Sequence, residues 1–496
     1  MLDQKIQSHV AGQPEPNFVD VLIVGAGLSG IGTARHLQDK CPDRTFALLE
    51  SRDTLGGTWD LFRYPGIRSD SDMYTFGYTF KPWLENKSLA DGPSILQYMR
   101  ETASETGIDQ HIHYHHRVTS AHWSTEYGCW TVAVSVGEQA EEARWRCRFL
   151  MICGGYYDYE QGYTPEFQGQ EEYSGTVVHA QHWPEDLDYT DKRAVVIGSG
   201  ATAVTLVPEL AKKTAHTIML QRSPTYIISV PQGDPWVPAL SKLLPDSWVY
   251  RIVRWKRVLL QIFFFNLSRK RPKTVKKLLL SQVRKELGED YDVATHFTPD
   301  YNPWDQRMCA VPEGDMFNAV RTGRAEVVTD HIDRFTPTGI RLTSGRELKA
   351  DIVVLATGLN LKFLGGVELS VDGEPVHYPD LFVYRGMMLA NVPNLAFVMG
   401  YTNSSWTLKA DLTSEYVCRL LNDMRRHGAS VATPRLNDGD ADEEPMIDFT
   451  SGYVLRSIDQ FPRQGTRIPW RVYQNYILDY LNLRFRSLRD KVLDIR

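Results

Sequence analysis

Short apolar runs that end in glycine recur along the chain. VDVLIV (residues 19–24) runs into Gly25, AVVI (194–197) into Gly198, and ADIVVLATG (350–358) closes on Thr357 and Gly358. An unbroken apolar run bounded by turn residues predicts a strand buried on both faces, as parallel sheets require. Past Gly25 the apolar positions from Ile31 to Leu37 recur at helical spacing, and a second helix is expected past Gly198. Two strand–turn–helix units and a third buried strand predict an α/β protein.

The turns add a spacing of their own. Gly25, Gly27 and Gly30 form GxGxxG around Ser29. Gly25 suits a tight turn, Gly27 lets backbone approach a pyrophosphate, and Gly30 permits close helix packing. The helix N-terminus then offers N–H groups and the positive end of its dipole to the anion. A second strand, TFALLE, ends in Glu50, 20 positions past Gly30, where a carboxylate can accept both ribose hydroxyls. The later unit reads Gly198, Ser199, Gly200, Ala201, Thr202 and Ala203 as GxGxxA, and its next strand, TIMLQRS, runs into Arg222 and Ser223 instead of an acid. An acid there would repel a 2′-phosphate, whereas Arg and Ser bind one, so the second dinucleotide is expected to be NADPH. The fold class expected is α/β with two Rossmann-like dinucleotide-binding domains.

At 496 residues and 42% hydrophobic content, the chain exceeds what one core organises, and two or three domains are expected. A formal charge of −6 argues against nucleic acid as partner. The six scattered cysteines form no CxxC, and residues 42–128, where a pyridine nucleotide–disulfide reductase needs its redox pair, hold none. Reduced thiols and a cytoplasmic location are the economical reading. HIHYHH (111–116) would set His111, His113 and His115 on one face of a strand, but no thiolate or carboxylate lies close in sequence and no metal is expected. DGDADEE (438–444) begins like a calcium loop yet has Glu443 where that loop needs Gly and Phe449 where its closing Glu belongs, so it reads as solvated. Residues 245–287 hold twelve Lys or Arg against Asp246 and Glu286, interleaved with Trp255, Phe263, Phe264 and the leucines 278–280. They carry two readings, a helical insertion lining the NADPH cleft and a weak peripheral membrane surface. The longest apolar run, VLLQIFFF (258–265), is broken by Gln261 and falls short of the ~20 residues that span a bilayer. The polar first 17 residues, with Pro14 and Pro16, are expected to form a mobile tail.

GGTWDLFRYPGIRSDSDMYTFGY (56–78), YSGTVVHAQHWP (173–184) and ATG (356–358) together resemble the Baeyer–Villiger monooxygenases of the flavin monooxygenase superfamily, over nearly the whole chain. The family fingerprint, Phe-x-Gly-x-x-x-His-x-x-x-Trp followed by Pro or Asp, is met by Gly175, His179, Trp183 and Pro184, with Tyr173 replacing Phe. Trp183 favours this branch over its alternative, the N- and S-oxygenating flavin monooxygenases. The resemblance implies FAD on the first glycine loop, aided by Thr58, Trp59, Asp60, Leu61, Asp70 and the backbone at Val118, and NADPH on the second. It implies that His179 ties down the linker between the two domains through a hydrogen bond. YNPWDQR places the family's active-site arginine at Arg307, and YPGxxxD places its partner at Asp70. A guanidinium stays ionised and suits preorganised stabilisation of developing oxyanion charge. The implied chemistry is attack of a C4a-peroxyflavin, formed from NADPH-reduced FAD and O₂, on a hydrophobic ketone to give an ester, with S-oxidation of thioethers and thioamides as a side activity. Other branches carry Lys where Gln306 stands, which removes one contact to the 2′-phosphate. GYTNSSWTLKAD (400–411) and the stretch around Trp470 are expected beside a mainly apolar substrate cavity. The implied architecture is an FAD domain of residues 1–158 and 383–496, and an NADP domain of 159–382 carrying a helical insert at 228–318.

Overall fold

The computed structural model describes residues 17–436 and 442–496. The expected N-terminal tail, up to residue 16, and the start of the 438–444 loop lie outside the described residues. Two sheets organise the rest. Six strands of the larger sheet, β1 (Asn17–Val24), β2 (Phe46–Leu49), β3 (Ile112–His113), β4 (His116–Ser124), β5 (Cys129–Val136) and β6 (Glu141–Ile152), line up as β4-β5-β6-β1-β2-β3. β1 is parallel to both neighbours, with Leu22 opposite Ala47 and Leu150. Val21, Leu22 and Ile23 are wholly buried, which is why the run is apolar without alternation. Strands Glu368–Val371 and Leu395–Phe397 add to this sheet beside β4 and β6. The first of them falls inside the span expected for the NADP domain. The chain therefore re-enters the larger sheet by residue 368 instead of 383, because Leu369 completes the core that holds Trp123 and Trp130.

The smaller sheet is wholly parallel. Its strands β7 (Thr176–His179), β8 (Arg193–Ile197), β9 (His216–Gln221), β10 (Ala325–Thr329) and β11 (Ile352–Leu355) stand in the order β10-β9-β8-β11-β7. Helix α1 (Leu28–Lys40) follows β1, and α2 (Ala201–Leu210) follows β8. Between β9 and β10 the chain leaves along a strand, Ile227–Val230, and returns along another, Cys309–Pro312, paired in parallel with Ile227 opposite Cys309. This pair was not expected from sequence. The excursion holds α3 (Asp246–Lys270) and α4 (Pro272–Leu287). Val249, Val253 and Val258 of α3 pack into the core beneath the larger sheet, and the buried Arg254 donates to the carbonyls of Tyr74 and Gly77, 2.7 Å each. α4 instead packs Leu280, Val283 and Leu287 onto the smaller sheet's core, so the insert bridges both halves and does more than line one cleft. Toward the C-terminus α5 (Trp406–Arg426) lies against α1, joined through His36 Nε2 and Asp411 Oδ1 at 3.1 Å. A last helix, α6 (Tyr476–Arg484), packs beside α5.

His111, His113 and His115 do not share a strand face. His111 ends a helical turn and stacks on Phe46, and His115 has φ +57, reversing the chain between β3 and β4. Among the described residues no group of metal-ligating side chains assembles, the six cysteines are free and buried, and no helix is long and apolar enough to cross a membrane.

Candidate functional site

The first glycine loop is shaped by contacts that leave no room for side chains. Gly25 has φ +99, and a Cβ there would sit 2.9 Å from the Cys153 carbonyl oxygen; a Cβ on Gly30 would lie 1.9 Å from the Gly25 carbonyl oxygen. Gly27 caps α1 without any side-chain hydrogen bond, so the first-turn N–H groups are open to an anion. Ser29 Oγ accepts from Trp406 Nε1 at 2.8 Å. Glu50 stands buried at the end of β2; its Oε2 accepts from the Ala26 N–H at 2.8 Å and its Oε1 from the Arg52 N–H at 3.0 Å. With the Ser51 hydroxyl also donating to Oε1, those bonds fix the carboxylate beside the loop and leave acceptor capacity on Oε2.

Thr58, Trp59, Asp60 and Leu61 form one helical turn that starts beside Gly27, where a Cβ on Gly57 would lie 3.2 Å from the Gly27 Cα. Thr58 Oγ1 and the Tyr159 hydroxyl are 3.0 Å apart, and Trp59 meets Phe76 edge-on. Asp60 is buried and its carboxylate is taken up by Arg52, Arg63 and Arg100, so it anchors the turn from behind. Val118 is buried on β4.

Arg307 and Asp70 come together. Arg307 Nε lies 2.7 Å from Asp70 Oδ2, and its NH2 donates to Oδ1 at 2.9 Å. Asp70 sits in the loop just ahead of the helix Met73–Phe76, which Asp72 caps by accepting from the Thr75 N–H. Arg307 arrives from the insert, two residues before its return strand. Burial works against the guanidinium's charge, but Asp70 and the phenols of Tyr156, Tyr157 and Tyr453 outweigh it and raise its pKa. The cation is permanent at any working pH. Burial likewise holds Tyr156 and Tyr157 protonated far above the ordinary phenol range.

Tyr156 stacks on Trp406, with ring centroids 5.2 Å apart and planes within 9°. These two rings and Tyr453, Phe449, Met446 and Lys409 line a cavity. Lys409 Nζ donates to Asp479 Oδ2 at 2.7 Å, and Asp479 also accepts from Tyr401. The polar chemistry of the wall is thus internally paired. Of the two C-terminal segments expected here, 400–411 supplies Gly400, Tyr401, Thr402, Trp406 and Lys409, while Trp470 itself is buried behind Tyr384 and only its neighbours Val472, Tyr473 and Gln474 reach the cavity.

The second loop repeats the first. Gly198 has φ +140, and a Cβ there would meet the Ala356 carbonyl oxygen at 2.3 Å. Gly200 caps α2 with no side-chain bond and has open space around it, with Ser199, Ala201 and Thr202 alongside and Ala203 buried in the helix. Arg222 and Ser223 are exposed directly after β9. Arg456 was not foreseen from sequence. Its guanidinium lies 3.6 Å over the Tyr163 ring, beside Gly358, and both burial and the charge of Arg222 push its pKa down. The charge of Arg222 is thus felt at Arg456, and the two cations bear on the strand-end edge of the smaller sheet. The signal was a lone Arg in a C-terminal segment, with nothing local to mark it.

The fingerprint residues flank and close β7 at the edge of the smaller sheet. Tyr173 donates to the Ala350 carbonyl at 3.1 Å, and a Cβ on Gly175 would strike that ring and the Asp351 carbonyl. His179 closes β7. Its Nδ1 accepts from the Gln181 N–H at 3.2 Å, within the linker. The ring also wedges against Gly162, where a Cβ would lie 2.0 Å from Cε1, and hydrogen bonding with the Tyr163 backbone favours its charged form, so His179 joins the linker to the end of the strand Tyr157–Gly162. Trp183 is buried against Tyr189.

Comparison with known proteins places this geometry. Residues 19–421 match the family model described as flavin-binding monooxygenase-like. The chain is 53% identical over 476 residues to the FAD-containing monooxygenase EthA of Mycobacterium tuberculosis, covering 96% of this chain and 97% of that protein. It is 52% identical over 480 residues to the putative FAD-containing monooxygenase MymA of the same organism, with 96% and 97% covered. Among solved structures it resembles a steroid monooxygenase bound to NADP (TM-score 0.69, 23% identity, 84% of this chain and 88% of that one) and an open form of cyclohexanone monooxygenase (TM-score 0.71, 20% identity, 84% and 90%). Those two likenesses concern the fold. By family match and by near-full-length identity, the chain belongs to the flavin-binding monooxygenase-like family.

Proposed function

We propose that the chain is an FAD-containing, NADPH- and O₂-dependent monooxygenase of the Baeyer–Villiger type, converting hydrophobic ketones to esters, with S-oxidation of thioethers and thioamides as a side activity. The observation that carries this reading is a permanent cation, Arg307, fixed by Asp70 among the tyrosines beside an aromatic cavity. The first glycine loop fits FAD: a side chain is excluded at Gly25 and Gly30, the α1 N-terminus is uncapped, and Glu50 waits at the strand end. The second loop fits NADPH, with Arg222, Ser223 and Arg456 placed for its 2′-phosphate. Bound FAD would supply the activation of O₂ with electrons from NADPH.

The protein's own residues then have defined tasks. Arg307 offers two N–H groups of fixed direction to negative charge developing on a carbonyl oxygen, and Asp70 holds that fork in place without neutralising its outer face. Tyr156, Trp406, Phe449 and Tyr453 exclude water and favour an apolar substrate. Lys409, committed to Asp479, leaves no unpaired cation in the wall to select an anionic substrate.

The relatives named as FAD-containing monooxygenases and the NADP-bound steroid monooxygenase support the cofactor assignment. The test is a panel of aliphatic ketones of increasing length, methyl aryl ketones and a thioether, with products identified by chromatography. Esters are expected from the ketones; a sulfoxide alone, with every ketone untouched, would place the chain with the N- and S-oxygenating enzymes.

A further inference from the structure

Helix α3 is apolar on two opposite faces. Val249, Val253 and Val258 point into the core, while Trp248, Trp255, Leu259 and Phe263 fall at helical spacing on the opposite stripe and face solvent, Trp248 57% and Phe263 63% exposed. Trp255 carries the stripe across to α6. Its ring meets Tyr480 at 5.6 Å, and Tyr480 meets Phe485 at 5.8 Å. Beyond them Leu478, Leu481, Phe485 and Ile468, all exposed, surround an open hollow. A continuous patch of this kind is not the ordinary scatter of surface apolar residues.

Its charge is one-sided. Arg251 and Lys270 fall on the same stripe of α3, Arg486 lines the hollow, and Lys273 and Lys277 open α4; all five are exposed and, among the described residues, none is held in an ion pair. The acids of these helices stand elsewhere: Asp246 lies off the stripe, Glu286 sits at the far end of α4 and Asp479 is buried with Lys409.

We propose that this patch docks the protein on an anionic lipid bilayer, with the aromatic and leucine side chains entering the interfacial layer and the five cations meeting headgroup charge. Self-association through a two-fold axis would set those cations against their own copies, whereas anionic headgroups neutralise them. The contact is peripheral, since no described helix can cross a membrane. Tyr473 lines both the hollow and the cavity beside Tyr156 and Trp406, so the docked face adjoins the substrate site. That last link rests on the apolar-substrate reading, but the binding itself does not.

The experiment is co-sedimentation of the full FAD-loaded chain with vesicles of phosphatidylcholine alone and of phosphatidylcholine mixed with phosphatidylglycerol. Binding is expected on the mixed vesicles, weak binding on the neutral ones, and loss at high salt. Leu259→Glu/Phe263→Glu and, separately, Lys273→Glu/Lys277→Glu are each expected to lower the partition coefficient at least about tenfold, with FAD content and flavin reduction by NADPH unchanged. Absence of parent binding, binding indifferent to both double variants, or light scattering that shows the variants only splitting a dimer would overturn the proposal. Failure of ketone turnover would leave the vesicle result standing.

Discussion

Arg307 and Asp70 stand 237 positions apart and meet through two contacts of 2.7 and 2.9 Å. One comes from the insert and the other from the loop behind the first glycine turn, so the pair forms only when both dinucleotide units are in place. Arg307→Ala is expected to retain FAD and its reduction by NADPH, yet to lower ester formation about 10²–10³-fold. Arg307→Lys should recover little, because an ammonium lacks the fork. Product measured within a fewfold of the parent would remove Arg307 from the chemistry.

Arg222 directly follows β9, and Arg456 lies beside Gly358 past the end of β11. Arg222→Ala should weaken 2′,5′-ADP, followed by calorimetry, by on the order of 1.5–3 kcal/mol, and Arg456→Ala should weaken it in the same direction. NADH, lacking the phosphate, should be indifferent to both. Equal losses for the two coenzymes would mean that the arginines act on the fold and not on the phosphate.

Gly198→Ala puts a Cβ 2.3 Å from the Ala356 carbonyl at a backbone angle that only glycine adopts comfortably. NADPH binding should be lost, with a cost to stability of about 1–3 kcal/mol, while the flavin absorbance of the purified protein stays. A variant that still binds NADPH normally would show that the loop can shift to make room.

His179 gives a pH signature. Burial, chiefly, lowers its pKa below the ordinary imidazole value, so the unfolded chain takes up this proton before the folded one does. The neutral ring's contribution to stability is present above that ordinary value, about 6.5, and is lost as pH falls below it. The melting temperature should therefore drop between pH 7.5 and 5.5, and His179→Gln should flatten part of that drop. Parallel curves for parent and variant would assign the slope to other groups, His113 and His296 among them, since burial lowers both.

Much of the site was legible because its signals are local. Gly25, Gly198, Glu50 and Arg222 follow directly from the period of the strands that precede them, and the strand ends stand one residue before Glu50 and Arg222. What sequence missed depends on contacts between distant segments. The bond from Trp406 to Ser29 spans 377 positions, although the segment 400–411 itself is expected at the cavity, and Arg456 meets Gly358 only after the chain has returned from the smaller sheet. The reading of His111, His113 and His115 assumed an uninterrupted strand, and the reversal at His115 removed the shared face. The strand Glu368–Val371 escaped because its partner, β4, lies some 250 positions earlier.

The parallel strand pair at the foot of the insert, Ile227 beside Cys309, means that the excursion departs and returns at one point on the smaller sheet. Such a segment can be exchanged between homologues as a cassette with both seams at a single place. The cassette is not neutral cargo, however. It carries Arg307 just inside the return seam, and Arg254 and Gln261 reach from it to Gly77 and Asp72 on the other half. A chimera with a foreign insert would change its surface face and its arginine together, so surface and chemistry travel through recombination as one inherited unit.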